Sequence, residues 1–283
     1  MIKYFLTLVW ALTITSAYAQ TSDIMKKNIL TQRQLSLAEC ASLEAQGDMV
    51  RLDVALSKAL DNGVSVNELK EAFSQLYAYT GFPRSLNALN RLKNVLDDRK
   101  HKGVCDNEGK PWTKPALWND ASEALKRGTE VQSRLVGGRE YKYDFCPQED
   151  YYLKSHLFGD IFTGDQLSEA DREIVTVAAL SGMKGVDAQL ASHKRGAVAM
   201  GNTAEPVEQL CNYLSENGLS QSDNAADACH GDWSKGSPNT HFAQYFTVNS
   251  HLAPIATHVK TSDKGCNEWL EEVSDEEYHN IHQ

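Results

Sequence analysis

The chain has 283 residues, 41% of them apolar and 23% charged, with a net charge of −10. Those fractions exclude wholesale disorder. The acidity argues against a nucleic-acid or anionic-membrane surface, which would show clustered Lys and Arg.

Met1-Ile2-Lys3 precedes an apolar run from Tyr4 to Ile14, and Ala17-Tyr18-Ala19 follows before Gln20. This is the layout of a secretory signal peptide over residues 1–19, cleaved after Ala19, and it predicts a periplasmic or secreted protein. The run is shorter than the ~20 apolar residues of a membrane span. Six cysteines remain, and an even count in an exported chain favours disulfides. Six allow fifteen pairings. Cys105 with Cys146 and Cys211 with Cys229 are candidate local pairs, and Cys40 reads as a buried thiol or a bridge. No Cys-x-x-Cys occurs.

The amphipathic stretches read as helix. Thr31 to Ala45 and Val50 to Asp61 are separated by Gly47-Asp48, and Asn62-Gly63 stops the second. Ser65 and Glu68 form a capping box ahead of Leu69, Ala72, Phe73, Leu76 and Tyr77. Gly81-Phe82-Pro83 breaks the pattern and opens a helix running to about Arg99. Residues 101–114 read as linker. Leu117 to Leu135 marks a bridging helix ending at Gly137-Gly138. Tyr141 to Pro147 looks extended, and helix returns from Asp150 through Ile161. Ser168 caps Ile174 to Met183, a further helix closes at Met200-Gly201-Asn202, and Thr203 opens the last through Leu214. No long element is placed after Ser215.

The chain repeats itself: Leu52 pairs with Leu190 and Gly63 with Gly201 at a constant offset of 138. The expected organisation is all-α. A first helical repeat spans 25–100, a linker with a bridging helix 101–147, a second repeat 148–216 and an irregular tail 217–283. On antiparallel neighbouring helices Glu173 and His193 come within roughly one turn, an acid–base pair. Six late histidines, His230, His241, His251, His258, His279 and His282, are too irregularly spaced for a metal site.

Two segments carry a resemblance. Tyr79-Thr80-Gly81-Phe82-Pro83-Arg84-Ser85-Leu86-Asn87-Ala88-Leu89 in the first copy, and His193-Lys194-Arg195-Gly196-Ala197 in the second, resemble the carboxymuconolactone decarboxylase family of the alkylhydroperoxidase-like superfamily. The resemblance implies two tandem repeats packed as an internal dimer, and homo-oligomers such as a trimer of internal dimers. It implies no cofactor and no metal. The superfamily's peroxidase branch places Cys-x-x-Cys before the histidine, but Gln189 and Val186 stand there, so peroxiredoxin-type antioxidant activity is disfavoured. Glu173 fills the position of the branch's glutamate. In the first copy Ala55 and about Ser36 replace the pair, so one composite site per chain is expected. The resemblance implies a cofactor-independent lyase acting on a small carboxylated ring or lactone. His193 and Glu173 would be catalytic, Arg172 and Arg195 would bind the substrate carboxylate, and the Tyr79 hydroxyl would reach the pocket edge. A non-catalytic binding scaffold is the alternative.

Overall fold

The computed structural model describes residues 30–221. The expected leader, most of the tail, Cys229, Cys266 and the six late histidines lie outside them. Among the described residues there are nine α-helices and no strand: α1 (Gln32–Gln46), α2 (Met49–Asp61), α3 (Val66–Thr80), α4 (Phe82–His101), α5 (Ala121–Leu135), α6 (Pro147–Tyr151), α7 (Glu169–Ser181), α8 (Asp187–Ala199) and α9 (Ala204–Glu216). None is long and apolar enough to cross a membrane.

Local chemistry sets the boundaries. Thr31 and Ser65 each accept from the backbone N–H three residues on, and Gln34 and Glu68 reach back to the cap, closing two capping boxes. Gly63 and Gly201 stand just beyond α2 and α8 at φ of 85° and 113°, where a side chain would be strained. The bridging helix starts later than expected. Asp120 accepts from Ser122 N and Glu123 N, so α5 begins at Ala121 and Leu117 is left in a short 3-10 turn. The next helix starts earlier than Asp150, at Pro147, which suits a first turn because it has no N–H to satisfy. Tyr152–Asp160 then continues with π winding. Here α5 crosses so closely that a Cβ on Gly128 would lie 1.6 Å from the Lys154 carbonyl oxygen, and one on Gly159 would lie 2.3 Å from that of Ala124. Only glycine fits at such an approach.

The helix limits repeat with the sequence offset. α2 and α8 have 13 residues each and start 138 residues apart, as do the starts of α3 and α9. The central packing is α1 against α7. Across it Gln34 Nε2 donates to Asp171 Oδ1 at 3.0 Å, each being the third residue of its helix. Gln75 on α3 donates to Thr176 on α7 at 2.8 Å, while Tyr213 on α9 donates to Glu39 on α1 at 3.2 Å. These two bonds join corresponding positions in opposite order.

The main core is drawn from α1, α2, α3, α4, α7, α8 and α9. A smaller cluster holds Val131, Leu135, Leu157, Phe158, Phe162 and Met200. Tyr79 packs against both, so the junction of the two clusters lies at its ring. The linker is not loose against the first repeat. Asn107 and Glu108 carbonyls accept from Val66 N and Asn67 N, satisfying first-turn donors of α3.

Cys40, Cys105 and Cys146 are free thiols, and the expected partner of Cys211, Cys229, lies outside the described residues. The expected Cys105–Cys146 pair is therefore not formed: Cys105 is exposed in the linker and Cys146 Sγ contacts Gln148 at the start of α6. Burial pushes the Cys40 thiol far above its usual range, which suits an inert core group and not a nucleophile.

Candidate active site

α7 and α8 run as antiparallel neighbours, and their facing residues place His193 Nδ1 2.8 Å from Glu173 Oε2. Glu173 is fully buried and His193 is 8% exposed. Glu173 lies one turn inside α7, whereas Glu169 and Asp171 occupy the first turn. Those two complement the helix dipole, so Glu173 is left for His193. The other Glu173 oxygen, Oε1, has no hydrogen-bond partner among the described residues. A buried carboxylate oxygen left bare is costly, about 1–3 kcal/mol.

Gly196 makes this contact possible. A Cβ there would stand 2.7 Å from Leu135 Cγ and 3.3 Å from Glu173 Oε2. The glycine of the His-Lys-Arg-Gly-Ala segment thus lets α5 and the Glu173 carboxylate close on α8 one turn beyond His193.

Tyr79 forms the third side. Its ring meets that of His193 edge-on, centroids 5.5 Å apart at 80°. Its hydroxyl is buried beside Thr176 and Glu173, and burial there raises its pKa, so it stays a neutral donor. Tyr79 stands on α3, whereas Glu173 and His193 stand on α7 and α8.

The two arginines depart from expectation. Arg172 is fully buried. Its guanidinium donates to Glu71, to Gln75 Oε1 at 3.0 Å and to the Gly164 carbonyl at 2.8 Å, and it lies 5.7 Å from the centre of the Phe162 ring. Burial pulls its pKa down to about 10. With those partners it is a buried ion-pair residue with no approach for a substrate carboxylate. Arg195 is exposed. Two residues from His193 it lies about 200° round the α8 axis, so it cannot close on the same ligand.

Glu71 and Gln75 escaped the sequence reading, although a signal existed. Glu71, Gln75 and Tyr79 recur every four residues along α3, one polar stripe on an otherwise apolar face. Each meets the second copy: Glu71 and Gln75 at Arg172, and Tyr79 at His193.

At the corresponding helix positions of α2 and α1, Ala55 and Ser36 form no such pair. Ala55 is packed in the main core, and Ser36 accepts from Asn62 Nδ2 at 2.9 Å. Two surface cavities lie away from His193. One, of about 450 Å³, lies at the starts of α1, α7 and α9 around Arg33 and Asp171; the other, of about 550 Å³, lies at Pro147 to Tyr152. Among the described residues no cluster of His, Cys, Asp and Glu could hold a metal.

The all-helical fold, the Gly-Phe-Pro turn and the buried Glu–His pair are the setting for a comparison with known families. Residues 14–94 match the carboxymuconolactone decarboxylase family. The match covers less than a third of the chain. The match runs through α1, α2, α3 and most of α4 and so includes Tyr79, but not Glu173 or His193. No curated protein matches the chain.

Proposed function

We propose that this is an exported carboxymuconolactone decarboxylase-like protein whose single composite site performs cofactor-independent acid–base chemistry, as a lyase, on a small carboxylated ring or lactone. The observation that carries this reading is the 2.8 Å contact between His193 and Glu173, with Glu173 Oε1 unpartnered among the described residues and the Tyr79 ring against His193. With Glu173 ionised, His193 Nδ1 is the donor and Nε2 is free to exchange a proton with the reacting carbon. Tyr79, kept neutral, presents a hydroxyl to substrate oxygen. The carboxylate clamp does not come from Arg172, which is used internally.

We also read the two repeats as an internal dimer, supported by the reciprocal Gln75–Thr176 and Tyr213–Glu39 bonds. Association of such units into a homo-oligomer, a trimer of internal dimers, is supported by large apolar side chains exposed on the first repeat, Val50, Val54, Phe82 and Leu86. Export rests on the leader alone. A binding scaffold without turnover is the second reading, favoured by the sealing of Arg172 inside the fold, where it cannot hold a substrate carboxylate. The peroxidase reading has no support, since Val186 and Gln189 occupy the thiol positions.

Turnover decides between the readings. Carbon dioxide release from a panel of small carboxylated lactones is expected for the wild type and is expected to fall by at least about a hundredfold in His193→Ala and Glu173→Gln, as when a general acid–base is lost. Equal rates in all three proteins would overturn the assignment of the pair, and binding without release in the wild type would leave the scaffold.

A further inference from the structure

The other principal cavity, about 550 Å³, is lined by Pro147, Gln148, Tyr151 and Tyr152. It lies where the bridging segment joins the second repeat, and the acid–base reading makes no use of it. Its aromatic walls are open to solvent: Tyr151 is 45% and Tyr152 59% exposed, and Phe145, two residues before Pro147, is 90% exposed. The Tyr151 and Tyr152 rings stand 6.0 Å apart at 68°, presenting two differently oriented surfaces to one small guest.

The charge around these rings is specific. Lys142 pairs with Asp144 at 2.7 Å and Lys154 with Asp150 at 2.7 Å, so those two carboxylates are neutralised locally. Glu149 has no ion-pair partner among the described residues and is exposed. It sits in the short helix with Pro147, Gln148 and Tyr151, three positions before Tyr152 and so on the Tyr152 side. Aromatic faces carry negative potential and attract cations, most strongly those with weakly held water. A free carboxylate on the Tyr152 side of the cavity favours positive charge over a neutral guest, and the chain's net charge of −10 adds attraction at long range.

We propose that the Pro147–Tyr152 cavity is a binding site for a small organic cation of the quaternary ammonium class. Tyr151 and Tyr152 supply the faces that receive the cation, and Glu149 supplies the countercharge. Pro147 fixes the start of the helix that presents them. The site is independent of His193 and does not rest on the proposed activity.

The test uses the full chain with labelled tyrosine rings, titrated by NMR with choline and, separately, with 3,3-dimethylbutan-1-ol, its uncharged isostere. Choline should shift the Tyr151 and Tyr152 rings saturably in the millimolar range, and the alcohol should not. Tyr152→Leu and Glu149→Gln change exposed side chains and should each weaken choline by about threefold, the size expected for an exposed cation–π contact. Absence of a saturable shift, or equal shifts from choline and the alcohol, would overturn the proposal. So would tyrosine shifts that follow protein concentration without choline, because the face would then be a contact between copies of the chain.

Discussion

Replacing Arg172 by alanine is expected to destabilise the protein by about 3–5 kcal/mol, the usual result of breaking a buried ion pair from one side. The loss is not that of a favourable contact alone. Glu71 would be left as a largely buried charge, and Gln75 Oε1 and the Gly164 carbonyl would lose a donor. Desolvation already strains the pair from the arginine side, pulling the guanidinium down to about 10. Removing both charges together is therefore expected to be far milder. Arg172→Met with Glu71→Leu keeps the volume and abolishes the desolvation penalty, so the double variant should recover most of the stability lost by Arg172→Ala. Urea unfolding followed by circular dichroism gives both numbers. A single variant within about 1 kcal/mol of wild type, the range of ordinary substitutions, would mean that Arg172 is not the structural residue its contacts indicate.

Glu44 is expected to make stability fall as pH rises. It is fully buried near the end of α1, where Oε1 accepts from Thr80 Oγ1 at 2.7 Å and Oε2 has no partner. Burial raises its pKa from 4.5 to about 7, while the Thr80 hydrogen bond and the charge of Arg84 oppose the rise. The folded state thus holds this proton more tightly than the unfolded chain. Its stabilising contribution is fully present below pH 4.5 and is lost as pH rises through about 7, a span equivalent to about 3 kcal/mol. Glu44→Gln carries no titrating proton and should lack this component. Unfolding midpoints at pH 5 and pH 8 are expected to separate in the wild type and to draw together in the variant. The same pH dependence in both proteins would place the titration elsewhere.

The helices were legible because their signals are local. Thr31, Ser65, Ser168 and Gly63 each specify a helix end within four residues of themselves, and apolar spacing supplies the rest. The approach of Glu173 to His193 was also legible, since it follows from the length of two antiparallel helices joined by a short turn. The arginines misled because a guanidinium's role depends on what surrounds it. Glu71 is 101 residues from Arg172 in sequence, and nothing near Arg172 announces the partner. The π winding of Tyr152–Asp160 was hidden for a similar reason, as it lies against Gly128 of a helix that the sequence joins to it only through a linker. Tyr79 was legible as a residue near the site but not as a wall against His193, which depends on the packing of the first copy on the second.

The central claim is that Glu173 holds His193 by Nδ1 and leaves Nε2 for chemistry. The most direct measurement is the tautomer of His193, read from long-range ¹H–¹⁵N NMR correlations of the imidazole in histidine-labelled protein at a pH where the ring is neutral. The account predicts that the His193 proton resides on Nδ1, the form that an ionised Glu173 selects at 2.8 Å, and that Glu173→Gln alters this signature while the other histidines keep theirs. A neutral His193 protonated at Nε2, with a spectrum unchanged by Glu173→Gln, would contradict it.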